Sequence, residues 1–192
     1  LRMNRKAALE WAVQQREWVE AQVGAMAPGE PFVPGARIPL EGDEVELVWD
    51  ERSRRTPRLD GGRLICGGPP EGFARRIELF LKRRALDALS RETAEIAERA
   101  GVSVSSVSVG DAGTRWGSCS STGRIRYSWR LILAPSAVRR YVVAHEVAHM
   151  RHMDHGPRFK ALERDLFGGD PDEARLLLRR VGSRLKRVGR GR

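Results

Sequence analysis

Residues 145–155 read HEVAHMRHMDH and hold all four histidines of a 192-residue chain. His145 and His149 are four positions apart. On a helix that spacing sets them about 40° apart around the axis and roughly 6 Å apart along it, so two imidazoles can grip one metal ion. Glu146 stands beside that pair without being needed as a ligand, and can take a proton from a water activated there. This is the H-E-x-x-H arrangement of a metallohydrolase. Zinc suits it, because a catalytic zinc takes three protein ligands, leaves one position open and lowers the pKa of water there toward ~7. A nearby carboxylate then serves as general base and returns the proton to the leaving group.

The third ligand follows from helix geometry. His152 shares the stripe of His145, but on a continuous helix it lies roughly 10 Å further along the axis. His155 is off the stripe, yet Gly156-Pro157 forces a turn beside it that brings it back toward the metal. The expected set is therefore His145, His149 and His155, with Glu146 as the catalytic base. His152, Asp154 and Glu163 are the weaker candidates, Glu163 because a carboxylate could approach from the next helix.

The elements around the motif follow from periodicity. Val138, Tyr141, Val142, His145 and His149 form one stripe, so the histidines continue an apolar face. That helix opens at APS (134–136) and is expected to end near Asp154–Pro157. A second helix spans 157–167. After GGDP, a last helix runs to about 187 with Asp170 as N-cap and Pro171 at its first position. Upstream, TRWGSC (114–119), SSTG and RIRYSWRL (124–131) predict a hairpin with a four-residue loop. VSVSSVSV (102–109) predicts a strand with a bulge at Ser105-Ser106. Residues 72–100 predict a long helix, 63–66 and 45–49 strands, 50–62 a polar connection, 27–43 a Pro- and Gly-rich linker, and 5–23 an amphipathic helix. The order is that of a segregated α+β fold.

Composition sets bounds on function. Only Cys66 and Cys119 are present, which is no disulfide framework and implies a cytoplasmic protein. No apolar run approaches the ~20 residues of a membrane span, and no signal peptide is visible. The net charge is +10. Residues 171–192 carry eight basic residues against Asp172 and Glu173, six of that net charge. Such a segment is most simply a solvated helix face, with weak nucleic-acid contact as the functional alternative.

The stretch RWGSCSSTGRIRYSWRLILAPSAVRRYVVAHEVAHMRHMDHGPRF resembles the YgjP-like metallopeptidase family, related to the SprT-like and Wss-like zincins. The family carries an R-W-G-S-C-S hairpin, an R-L-I-L-A-P link and an H-E-x-x-H-x5-H helix. The likeness is close over 114–159 and looser from Gly35 to the last helix. It implies a zincin-like α+β fold: a small, mostly antiparallel sheet against the HExxH helix, followed by C-terminal helices. It implies zinc on His145, His149 and His155, catalysis by Glu146, and a peptide or protein substrate docked on the hairpin edge by β-augmentation. The domain is expected over 35–187, with a helix and linker at 1–34 and a basic tail at 188–192. Two departures stand out: Lys160 replaces a family tryptophan after Phe159, and the chain shows less strand-like sequence before its first long helix. Trp116 and Trp129 read as core residues. Arg115 reads either as an anion contact or as a structural ion pair, and Cys119 as a buried small residue rather than a nucleophile.

Two other functions use the same residues. A metal-dependent nucleotide pyrophosphatase would attack a phosphoanhydride with the same water. A non-catalytic protein with a structural metal would bind nucleic acid through its basic C-terminal helix.

Overall fold

A computed structural model of the chain describes residues 28–191. The helix expected over 5–23 lies outside the described residues. The fold is mixed α+β: four strands, a long helix, three strands and three helices.

The first sheet is built by two tight hairpins. Strand β1 (Arg37–Leu40) pairs antiparallel with β2 (Asp43–Trp49), and β3 (Arg58–Asp60) pairs antiparallel with β4 (Arg63–Cys66). β2 and β4 then pair in parallel, giving the order β1-β2-β4-β3. Both two-residue turns use positive φ, at Glu41 and Gly42 (55° and 100°) and at Gly61 and Gly62 (53° and 75°). This is the backbone sense that matches the twist of a hairpin. β1 corrects the reading of 27–43 as a linker: Ile38 and Leu40 are core residues, and Pro39 is tolerated because β1 is an edge strand that lacks a neighbour for its missing N–H. β3 corrects the reading of 50–62 as a plain connection. It is exposed along its length, so no apolar alternation marks it. The region before the long helix thus holds four strands, more than its sequence pattern predicts.

Helix α1 (Phe73–Ala100) buries Phe73, Ile77, Leu81, Ala85, Leu89 and Ile96, and ends on Gly101 in the left-handed conformation. The second sheet has the order β5-β7-β6, with β5 (Ser106–Gly110) parallel to β7 (Arg124–Ser128) and β6 (Gly117–Cys119) antiparallel to it. The β6–β7 hairpin has its four-residue loop over Ser120–Gly123, as expected. β5 begins only at Ser106, so the expected bulge at 105–106 is the strand's start. β7 ends at Ser128, and Trp129–Leu133 turns into a buried 3-10 segment whose first turn is capped by the Ser128 hydroxyl, 3.4 Å from Arg130 N.

Three further helices follow: α2 (Ser136–Ala148), α3 (Pro157–Phe167) and α4 (Pro171–Arg187). Asp170 caps α4, accepting from the Asp172 N–H at 2.9 Å, with Pro171 in the first turn. α2 stops well short of the expected 154–157. His149 closes its last turn, and Arg151 leaves the helix to donate to the Ala100 carbonyl at the end of α1 (2.7 and 3.0 Å). α2 sits centrally, packed against α1, α3, α4 and the edge strand β6.

The architecture is thus two small sheets rather than one, antiparallel in three of their five strand pairings. Residues 188–190 are held against the start of the described chain: Val188 is fully buried, Gly189 N donates to Glu30 O at 2.7 Å, and Arg184 and Arg187 both reach the Glu30 carboxylate (3.1 and 3.3 Å). Among the described residues no helix is long and apolar enough to cross a membrane.

Candidate metal centre

The early end of α2 shapes the centre. His145 and His149 project from the last turn of the helix. The chain then folds back through 150–154 and returns His155 to the same point just before Gly156 opens α3. The Nε2 atoms of His149 and His155 lie 3.3 and 3.4 Å from that of His145. All three ligand atoms lie within 4.8 Å of one another. The ring of Phe159, fully buried, touches all three imidazoles, with centroids 5.1, 4.6 and 4.8 Å from those of His145, His149 and His155. It forms the floor that holds the rings upright.

The other ring nitrogens settle which ones are free to ligate. His145 Nδ1 lies 2.7 Å from Glu163 Oε1, and His149 Nδ1 lies 3.1 Å from the His152 carbonyl. Each acceptor fixes the proton on Nδ1 and leaves Nε2 with its lone pair directed at the shared point. Burial pushes the His149 imidazole below the usual histidine range, which favours the neutral form that a metal needs. The donor set also fits zinc by size. Two nitrogens at ~2.0–2.1 Å from a tetrahedral ion are ~3.3–3.4 Å apart, the separation seen here.

Glu163 occupies a place the sequence alone did not indicate. It is 2% exposed and stands behind His145, on the Nδ1 side, rather than in the ligand cluster. Burial pushes its carboxyl up, but the hydrogen bond to His145 and the charges of His145 and Arg175 outweigh this and hold it below the usual range. His152 contributes only its backbone carbonyl. Asp154 turns toward the Gly156 N–H at 3.0 Å.

Glu146 follows His145 on α2 but points to the other side, toward β6. It is 5% exposed, and burial pushes its carboxyl up to about 7 against the opposing pull of His145 and Arg115. The strand reaches it through Gly117. A Cβ there would stand 2.7 and 2.8 Å from the Glu146 Cγ and Cδ, so only glycine allows this approach. A cavity of about 250 Å³ opens at the same place, lined by Arg115, Trp116, Tyr141, Val142, His145, Glu146 and Leu178 among others. Trp116 is thus a partly exposed cavity wall rather than a core residue, whereas Trp129 is buried as expected. Lys160 is exposed and away from this cavity. Burial and the Glu146 carboxylate both push the Cys119 thiol up, the opposite of what a nucleophile needs.

The arrangement is one of convergent imidazoles, an orienting carboxylate behind one of them and a buried carboxylate beside them. Comparison with protein families places the chain: the model of the YgjP-like metallopeptidase domain matches residues 1–180, and the chain belongs to that family. Comparison with curated proteins and with solved structures gave no match.

Proposed function

We propose that the chain is a zinc-dependent peptidase in which His145, His149 and His155 hold the metal and Glu146 is the general base. The observation that carries this is the convergence of three imidazoles, with the Nε2 atoms of His149 and His155 each at zinc-like spacing from that of His145, and a buried carboxylate on the neighbouring residue. Zinc held there supplies a Lewis acid and lowers the pKa of a water in its open position to ~7. Glu146 takes the proton from the attacking water at its carboxylate and delivers it to the departing amine. Glu163 and the His152 carbonyl hold His145 and His149 in the ligating tautomer. The exposed edge of β6 offers backbone groups to an extended peptide.

The phosphoanhydride alternative draws less support. The cavity beside Glu146 has one arginine and mostly apolar walls, a poor cradle for several phosphate charges. The nucleic-acid alternative is weakened by ion pairing on α4, where Arg175, Arg184 and Arg187 all face carboxylates.

The test is zinc content and peptide hydrolysis for wild type, Glu146→Gln, His155→Ala and His152→Ala. Glu146→Gln keeps about one zinc and loses turnover, His155→Ala loses most of its zinc, and His152→Ala keeps it. A wild-type protein that takes up no zinc, or a Glu146→Gln variant that still cuts peptides at the wild-type rate, sinks the reading.

A further inference from the structure

The cavity beside Glu146 has walls that the chemistry at the metal centre does not require. Trp116 lies against α4, where Gly182 leaves room for its ring: a Cβ there would meet Trp116 Cζ2 at 3.1 Å. Lys186 Nζ stands 5.5 Å from the centroid of the same ring. On the opposite side, Tyr141 is fixed at its hydroxyl by Arg175 Nε at 3.1 Å and at its ring by the edge of Phe167, 5.9 Å between centroids. Leu178 and Val142 add apolar surface to a cavity that is open to solvent on one side. An enclosed apolar space of ~150 Å³ already takes benzene, so about 250 Å³ holds a phenyl or indole group together with its methylene.

Among the described residues that line this space, Arg115 is the one arginine or lysine. It is exposed, and among the described residues no carboxylate lies within ion-pair distance of it. It lines the same cavity as Glu146 and is two residues before Gly117, which packs against that carboxylate. A guanidinium with no carboxylate partner among the described residues, on the lining of a largely apolar pocket, is arranged for a carboxylate attached to an apolar group.

We propose that this cavity is a substrate subsite that takes a large apolar side chain flanking the scissile bond, with Arg115 binding a carboxylate within one residue of it. This rests on the peptidase reading above. The carboxylate has two sources, the free C-terminus of a short peptide or an acidic side chain in a longer one. The walls are held by contacts within the protein, so the pocket is pre-formed and discriminates by size. Arg115 adds a charge-assisted contact of the kind that is worth roughly tenfold or more in affinity.

The experiment incubates the zinc-loaded full chain with a peptide library balanced in all side chains and reads the new termini by mass spectrometry. Phe, Leu, Tyr, Met or Trp is enriched roughly tenfold at one flanking position. Leu178→Trp, which fills the cavity, shifts that position to small residues, and Leu178→Ala keeps the apolar preference. Arg115→Gln lowers cleavage of carboxylate-bearing peptides roughly tenfold and leaves their amides unchanged. Paired peptides with a free or amidated C-terminus, with and without a neighbouring Glu, separate the two sources. Cleavage without apolar enrichment, or enrichment that Leu178→Trp does not move, overturns the subsite while leaving the peptidase reading standing. Absence of any cleavage counts against the peptidase reading itself. The pocket is then judged by calorimetry of the metal-free protein with 3-phenylpropanoate. Saturable binding lost in Leu178→Trp and weakened for the amide supports the pocket, and no binding overturns it.

Discussion

Glu163 Oε1 lies 2.7 Å from Nδ1 of His145, a residue eighteen positions earlier in the chain and on a different helix. The contact ties α3 to the histidine cluster on α2 and sets a buried carboxylate where it orients one imidazole. Arg175 stands 3.7 Å behind it from α4, so three helices meet at one imidazole.

Removing that carboxylate is therefore expected to weaken metal binding without touching a ligand. An orienting partner of this kind is worth roughly 10–100-fold in metal affinity. Glu163→Gln keeps an acceptor for Nδ1–H and falls at the small end of that range, whereas Glu163→Leu falls at the large end. Competition for zinc against a chelator of known affinity measures both. Equal affinity in wild type and Glu163→Leu would show that the contact is packing alone.

The Glu146 carboxyl gives the metal-free protein a characteristic pH dependence. Its folded pKa is raised to about 7 by burial, from an ordinary value of 4.5. A raised pKa means that the folded state holds a proton the unfolded state has released. The contribution is fully present below pH 4.5 and is lost as pH rises through 7, on the order of 3 kcal/mol across the window. The useful quantity is the difference in urea stability between wild type and Glu146→Gln, which cancels every other titrating group. That difference moves in favour of the Gln variant as pH rises from 4.5 to 7.5. A difference that stays flat would mean that Glu146 is solvated in the metal-free protein. Added zinc compresses the effect, because a nearby dication favours the carboxylate.

The convergence of three histidines was more legible in the sequence than the scaffold. That His145, His149 and His155 would meet beside Glu146 could be read from the HExxH spacing and the turn at Gly156-Pro157. What spacing cannot show is which ring nitrogen meets what. That is why Glu163 looked like a spare ligand and instead meets Nδ1 of His145, and why Phe159 looked like an ordinary apolar position and touches all three rings. β1 was hidden by Pro39 and Gly42, which normally mark linkers, and β3 by its exposure on both faces. The end of α2 depends on the His152 carbonyl and on Arg151 reaching α1, both contacts that exist only after folding.

A buried ion pair ties α2 to α1. Arg139 donates from Nε and Nη2 to Glu92 Oε1 at 2.9 and 2.7 Å, and the Glu41 carboxylate stands 3.5 Å from Arg139 and 2.7 Å from Arg84. Glu92→Ala strands a buried guanidinium and is expected to cost about 3–5 kcal/mol in chemical denaturation. The double variant Glu92→Leu/Arg139→Met removes both charges and recovers most of that loss. If Glu92→Ala alone cost less than about 1 kcal/mol, Glu41 would be carrying Arg139 by itself.

Gly117 tests whether the edge strand and the base are built as one unit. Its backbone is not in the left-handed region, so glycine is required here by space rather than by conformation. The atoms a Cβ would strike all belong to Glu146, and that side chain is enclosed. Gly117→Ala must therefore displace the carboxylate or push β6 away from α2. Overpacking of this kind costs about 1–3 kcal/mol, and a shift of about 1 Å in a catalytic group costs on the order of 100-fold in rate. The three histidines are untouched by the collision, so zinc content stays near that of wild type. Shortening the partner should relieve the strain: Gly117→Ala is expected to cost about 1 kcal/mol less in the Glu146→Asp background than in wild type, an interaction energy within the range for residues in contact. Additive stability changes in that double-mutant cycle, with full turnover in Gly117→Ala, would mean that the strand and the base are independent.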